Sequence, residues 1–260
     1  MCIKINFKNM AKKGLTRKNK EINMIPKVVI EYPEPKPEFK QAIVMCLGRA
    51  HGQNVAGKGS PAYLVPEKYG DDDNLVFREF QFSEDVIDRI CKLFEEAGIK
   101  YVRYIADNDF NEPGLTIRQK MINSANAAIL SEGMIMISHE HHVNAAGMGD
   151  VWLTATGVAV YTAKGQQAKS DAIATDWWNF MKATFTDLSF RSDFSDGDAD
   201  YEAGFYNLVT NPPAILTEWL FQDNKKDVAW MLKEENRDRY AKAYFDWFIQ
   251  LNQKFIDKKF

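Results

Sequence analysis

The feature that most constrains the fold is a regular alternation, from about residue 41 to 255, of short apolar runs with longer amphipathic segments. The apolar runs predict strands at AIVMCLG (42–48), KYVRYIA (100–106), GMIMIS (133–138), TGVAVYT (156–162) and PAILTE (213–218). Helical periodicity predicts helices at 83–99, 115–129, 166–182 and 235–255, the first opening on Ser83 and closing on Gly98. This alternation is typical of an α/β fold with a largely parallel central sheet and helices on both faces.

The chain divides into two parts by composition. Residues 1–27 carry eight Lys/Arg against one acid, Glu21, and prolines alternate through IEYPEPKPEFKQ (30–41). Residues 1–40 are therefore predicted to form a basic, proline-containing arm and linker. Residues 41–260 are predicted to form a single catalytic domain, because this length and an apolar content of 45% suffice for one core.

Charge and hydropathy exclude several classes of protein. The net charge of −3 gives no reason to expect a nucleic-acid partner. No apolar run reaches the ~18 residues of a membrane span, so no transmembrane segment is expected. The basic N-terminus has no apolar stretch behind it, so no signal peptide is predicted. The sequence does not indicate an oligomeric state.

Histidine and glutamate residues follow the predicted strands. The chain has four histidines: His51 follows the first strand, and His139, His141 and His142 follow the third. Glu218 ends the fifth strand. Because sites in such sheets form beyond the carboxyl ends of the strands, these side chains are expected to meet at one edge. Imidazole and carboxylate groups are typical zinc ligands, so a metal site is one interpretation of this pattern.

The spacing within the histidine cluster leaves the ligand open. Residue 143 is Val, so the helical H-E-x-x-H zinc motif is absent. In an extended segment, Glu140 and His142 would point to one face, and His139 and His141 to the other. One set can face a metal while the other packs or is solvated.

Several sequence blocks occur in a recognisable order. They are IVMCLGRAHGQNVAGKGSP, LVFREFQFSEDVIDRICKLFEEAGIKYVRYI, LTIRQKMINSANAA, HVNAAG, TGVAVYT and PPAILTEWLFQDN. This series resembles the zinc-dependent N-acetylmuramoyl-L-alanine amidase family (amidase-3 type) over about residues 41–255. The resemblance implies a Zn²⁺ bound by His51, Glu79 and His142, with Glu218 as the catalytic carboxylate.

Two blocks depart from the family pattern. The family usually shows D-x-G-H-G where this chain reads GRAHG, with Gly48 and Ala50 in place of Asp and Gly. The loss of a carboxylate at position 48 is expected to alter the support of His51. The usual S-I-H is replaced by Glu140, His141 and His142.

Other residues near these blocks are candidates for supporting roles. Register favours His142 as the ligand, but a slip or bulge of the strand would present His141 or His139 instead. The candidates for ligand support or substrate contact are Glu140, His141, Asn144 and Trp219.

The resemblance implies a peptidoglycan hydrolase that cleaves the amide between N-acetylmuramic acid and L-alanine. Zinc would activate water and polarise the carbonyl, while Glu218 would transfer the proton. With no signal peptide, the chain resembles a phage-type endolysin, made in the cytoplasm and reaching the wall by lysis or a non-classical route. A zinc peptidase acting on another amide and a non-enzymatic cell-wall-binding module remain alternatives.

Overall fold

The protein is described by a computed structural model over residues 3–4, 27–31, 33, 39–49, 51–52, 55–61, 76–105, 114–148, 151–165, 168–205 and 208–260. Most of the predicted arm and linker (1–40), together with Ala50, lies outside the described residues.

The described residues form one eight-stranded sheet in the order β1-β2-β4-β3-β5-β8-β6-β7. The strands are β1 (Ile3–Lys4), β2 (Lys27–Glu31), β3 (Ile43–Arg49), β4 (Tyr101–Ile105), β5 (Ile135–Asn144), β6 (Ala159–Ala163), β7 (Tyr201–Ala203) and β8 (Ala214–Phe221). The helices are α1 (Glu79–Ala97), α2 (Leu115–Ser131), α3 (Ala168–Thr184), α4 (Lys225–Leu232) and α5 (Glu234–Ile256). In this part of the chain, no helix is long and apolar enough to cross a membrane.

The centre of the sheet is parallel and its flanks are not. Strands β4, β3, β5 and β8 run in one direction, whereas β2 pairs antiparallel with β4, and β6 antiparallel with β8. The predicted α/β class with a largely parallel sheet is confirmed. Strand β2 also extends the sheet into the segment predicted to be an arm, and its Ile30 is buried.

Helices cover both faces of the sheet, as predicted. Helix α2 packs on one face, where Met121, Ile122 and Ala125 meet Val44 and Cys46 of β3. Helices α1, α3 and α5 share the larger core on the other face. Because neighbouring residues of a strand point to opposite faces, consecutive side chains of β3, β5 and β8 enter these two different environments.

The two largest differences from the predicted boundaries are at the start of α1 and the end of β5. Helix α1 begins at Glu79 instead of Ser83, and the Ser83 hydroxyl donates within the helix to the Glu79 carbonyl at 2.9 Å. The predicted end is confirmed: the helix stops before Gly98, whose φ of 70° is the left-handed conformation that glycine adopts readily. Strand β5 continues to Asn144, so the histidine cluster lies within the strand instead of after it.

Candidate metal centre

Three separate elements bring His51, Glu79 and His142 together. His51 follows β3, Glu79 is the first residue of α1, and His142 lies near the end of β5. One ligand atom from each lies within 4.8 Å of the others, and this is the one such group within the described ranges. The rings of His51 and His142 are 5.3 Å apart and nearly perpendicular, so both face the same small volume.

Glu79 is held by its position at the start of α1. Its buried Oε1 lies 3.1 Å from His142 Nδ1 and accepts a hydrogen bond from the Val143 backbone N–H, also at 3.1 Å. A register shift between His142 and Asn144 accompanies this contact. A carboxylate at a helix N-terminus is further stabilised by the backbone dipoles of the first turn.

The arrangement fits a metal ion. Glu79 Oε2 is buried and has no hydrogen-bond partner among the described residues, although a buried carboxylate oxygen is normally satisfied. Its near neighbours, His51 Nε2 at 4.0 Å and Lys58 Nζ at 3.9 Å, are beyond hydrogen-bond distance. Zinc ligands in a tetrahedral site lie about 3.4 Å apart. The 3.1 Å between His142 Nδ1 and Glu79 Oε1 is close to that separation.

The charges in the centre are strongly coupled. Burial alone would raise the pKa of Glu79, but its hydrogen bond to His142 and the nearby His142, His51 and Lys58 hold that pKa below its ordinary value. Burial alone would lower the pKa of His142, but Glu140 and Glu79 outweigh burial and raise this pKa to about 9. A concentration of negative charge therefore surrounds the imidazole, as a cation site requires.

Glu218 lies beside this group on the neighbouring strand. It is the register partner of His142 across β5 and β8, so both side chains point to the same face. Glu218 Oε2 is buried and, among the described residues, has no hydrogen-bond partner. Burial raises the pKa of Glu218 to about 7, with His142 opposing and Glu79 reinforcing the shift. A carboxyl group with such a pKa exchanges protons near neutral pH.

Sequence reasoning overlooked one residue beside this centre and one that supports the loop after β5. Lys58 places a cation 3.9 Å from Glu79 Oε2. Asp223 is fully buried, and its Oδ2 accepts hydrogen bonds from the N–H groups of Ala146 at 2.9 Å and Gly147 at 2.8 Å. The signal for Asp223 was its place in PPAILTEWLFQDN, a block used only to locate Glu218.

His139 and His141 lie on the opposite face of β5. His139 contacts Tyr244 Oη and Thr217 Oγ1, each at 3.1 Å, and His141 Nδ1 lies 2.9 Å from Tyr240 Oη. Both histidines are buried among aromatic side chains of α3 and α5. The strand therefore presents His142 and not its neighbours to the centre, and the bulge follows His142 instead of displacing it.

The other candidates are placed as follows. Trp219 is 1% exposed and packs against Trp177, Phe185 and Tyr240 on the face opposite Glu218. Trp219, a candidate for ligand support or substrate contact, therefore does not face the centre: strand alternation turns its side chain into the core. Asn144 ends β5, where its side-chain Oδ1 accepts from the Ala145 N–H at 2.8 Å.

Comparison with known sequences identifies the family. The sequence profile described as N-acetylmuramoyl-L-alanine amidase matches residues 46–248, most of the chain and all of the centre described above. The chain belongs to the N-acetylmuramoyl-L-alanine amidase family. No curated protein sequence matches it.

Solved structures of amidases share its fold. An N-acetylmuramoyl-L-alanine amidase from Clostridium difficile 630 superposes with a TM-score of 0.58 at 19% identity, covering 85% of this chain and 97% of that one. The amidase AmiC2 of Nostoc punctiforme gives 0.54 at 19% identity, covering 81% and 96%. The catalytic domain of the CD27L endolysin, which targets Clostridium difficile, gives 0.51 at 17% identity, covering 81% and 98%.

Membership of this amidase family gives the protein its activity class. It is a hydrolase of the amide bond between N-acetylmuramic acid and L-alanine in peptidoglycan. The amidase centre contains a His51, Glu79 and His142 group able to hold a metal ion.

Proposed function

We propose that the protein degrades bacterial peptidoglycan as a zinc-dependent amidase, with His51, Glu79 and His142 holding the zinc and Glu218 transferring protons. The observation that carries this proposal is the meeting of these three ligand groups within 4.8 Å beside a half-buried carboxyl group on the adjacent strand. Two imidazoles and one carboxylate are a known donor set of catalytic zinc sites, which keep a fourth position open.

The donor set leaves a net charge of about +1 when a divalent zinc is bound, since only Glu79 is anionic. Zinc there would act as a Lewis acid toward the scissile carbonyl and would increase the acidity of the attacking water. Lys58, whose Nζ lies 3.9 Å from Glu79 Oε2, adds positive charge on the same side. Negative charge that develops on the carbonyl oxygen is therefore stabilised.

Glu218 provides the proton pathway. Its carboxylate removes a proton from the attacking water and returns it to the leaving nitrogen. The water oxygen becomes part of the lactyl carboxylate of N-acetylmuramic acid, and the C–N bond breaks to release the amino group of L-alanine. The raised pKa of Glu218, about 7, suits a group that must both accept and donate this proton.

We further propose that the substrate binds at the carboxyl edge of the sheet, where β3, β5 and β8 end. The protein resembles the endolysin catalytic domain in fold, and we propose that it reaches the wall when a cell lyses or by a non-classical route.

The test is mass spectrometry of purified peptidoglycan treated with the zinc-loaded protein, with and without a chelator. We expect stem peptides with a free L-alanine amino group, and their loss when zinc is removed. Cleavage at a different amide would instead identify a peptidase. Wall binding without cleavage by zinc-replete protein would identify a binding module. Cleavage that persists after complete zinc removal would contradict the zinc-dependent mechanism.

A further inference from the structure

The two departures from the family pattern face each other in the structure. Gly48 of β3 and Glu140 of β5 are register partners on adjacent parallel strands, so both point to the α2 face. A Cβ placed on Gly48 would lie 2.6 Å from Glu140 Cδ and Oε1 and 2.7 Å from Oε2. The Glu140 carboxylate therefore fills the space that any side chain at position 48 would occupy.

A buried arginine holds this carboxylate in place. Arg118 of α2 has its Nη1 3.6 Å from Glu140 Oε2, and both side chains are almost completely buried. Removing one member of such a pair leaves an uncompensated charge in the interior, which is strongly destabilising. Arg118 thus holds the Glu140 carboxylate in the space that Gly48 leaves free.

The same carboxylate faces the outer edge of the His142 ring. Glu140 Oε2 lies 3.8 Å from His142 Nε2, while His142 Nδ1 faces Glu79 at 3.1 Å. His142 Nε2 is buried and has no hydrogen-bond partner within the described residues. A histidine that binds a metal through one nitrogen usually directs its other N–H toward a carboxylate, and this contact fixes the ring.

We propose that Glu140 is a positioning residue that orients His142 for zinc, and that its carboxylate occupies the space of the Asp which the family usually has at position 48. In this chain the carboxylate comes from β5, and the glycine at 48 leaves room for it. This inference rests on the proposed zinc-dependent function.

Exchanging the residues at positions 48 and 140 tests whether a carboxylate from either strand can support zinc binding. The variants are Glu140→Ser and Gly48→Asp, each alone, and the double variant Gly48→Asp/Glu140→Ser, which restores the family pattern. The matched control is Gly48→Ala/Glu140→Ser, which relieves the same clash and supplies no carboxylate. For each protein, zinc affinity is measured by chelator competition, thermal unfolding with chelator present, and kcat and KM on peptidoglycan.

We expect Glu140→Ser to weaken zinc binding by about 10- to 100-fold, the usual effect of losing an outer partner of a ligand. Gly48→Asp alone should lower the melting temperature, because two carboxylates then compete for one space. The double variant with Asp should recover zinc affinity to within a few-fold of the parent. The control should recover the melting temperature of the zinc-free protein but keep the weak zinc affinity and the low kcat.

Three results would overturn the inference alone: a parent-like zinc affinity in Glu140→Ser, parent-like affinity in the alanine control, or no recovery in the double variant with Asp. A parent protein that binds no zinc would overturn the proposed function and, with it, this inference. The zinc affinity of the parent protein therefore distinguishes a failure of the proposed function from a failure of this inference.

Discussion

The two faces of strand β5 use the same residue type for opposite purposes. On one face, His142 meets Glu79 and Glu140, and its Nε2 has no hydrogen-bond partner among the described residues. On the other face, His139 and His141 stack with ring centres 4.1 Å apart, enclosed by aromatic side chains and contacted by hydroxyl groups. The environment, and not the residue, decides which imidazole serves the chemistry.

The difference shows in the protonation of the rings. Burial, with a contribution from His142, lowers the pKa of His141 to about 3. His142 is also buried, yet the carboxylates around it raise its pKa to about 9. Hydroxyl partners keep a buried imidazole neutral, whereas clustered carboxylates attract a proton or a metal ion.

The same substitution made on the two faces of β5 should give the clearest difference in effect. His142→Phe should reduce zinc affinity by more than the ~100-fold expected for an outer partner, and amidase activity should fall to background. His141→Phe should retain zinc and kcat but lose about 1–3 kcal/mol of stability, because the buried Tyr240 hydroxyl loses its contact with His141 Nδ1. Zinc analysis, activity and urea unfolding of both variants provide the comparison; equal zinc loss in both would refute it.

The neighbouring residues Thr217 and Glu218 of β8 allow a second comparison of the two faces of the sheet. Glu218→Gln should lower kcat by about 10²–10⁴-fold while zinc affinity and stability stay near those of the parent. The Thr217 side chain points to the other face, and Thr217→Val removes the hydroxyl that contacts His139 Nε2. It should cost about 1–3 kcal/mol of stability with kcat unchanged. If Glu218→Gln kept more than a tenth of the activity, Glu218 would not be the proton-transfer group.

Alkaline pH should lower the stability of the zinc-free protein through His142, on the face of β5 that bears the centre. Because folded His142 has a pKa of about 9 against 6.5 unfolded, it contributes stability below pH 6.5 that is lost as the pH rises through 9. The loss should be on the order of 3 kcal/mol. Urea unfolding with chelator at pH 6.5 and 9 measures it. His142→Phe and the zinc-loaded parent should both show a smaller decline, and a decline of equal size in all three samples would contradict this assignment.

Acid pH should lower the stability of the protein through His141, on the opposite face of β5. Folded His141, with a pKa of about 3, resists the proton that the unfolded chain accepts below pH 6.5, so stability falls as the pH decreases from 6.5. At pH 5 this loss of stability should be about 2 kcal/mol. The difference in unfolding free energy between the parent and His141→Phe, measured at pH 7 and pH 5, isolates it. A difference that does not change with pH would show that His141 is protonated in the folded state.

The fold was accessible from sequence because its strands and helices have distinct periodicities. Apolar runs located β3 and β8, and helical spacing located α2 and α5. The direction of β6 was not accessible, since strand direction depends on connections and pairing that periodicity does not encode. The start of α1 was misplaced because Ser83 and the acids after it have the composition of a helix cap, whereas contacts made by Glu79 begin the helix earlier.

The candidate site was accessible only in part. Alternation along an extended strand correctly separated His142 from His139 and His141, and the family pattern then selected His142. Spacing alone did not show that Gly48 and Glu140 are one feature, because they are 92 positions apart and become partners only through strand pairing. Trp219 was misread because proximity to Glu218 in sequence places it, in a strand, on the opposite face.

The two fixed ends of β5 make the site depend on the number of residues between them. The strand is fixed at its start by the Ile135 N–H, which donates to the Ala42 carbonyl, and at its end by the Val143 N–H on Glu79. Between these two anchors, an odd change in the number of residues would exchange the two faces, and an even change would preserve them. At the strand positions that do not face the centre, a change of residue type should therefore be tolerated more readily than the insertion or deletion of one residue.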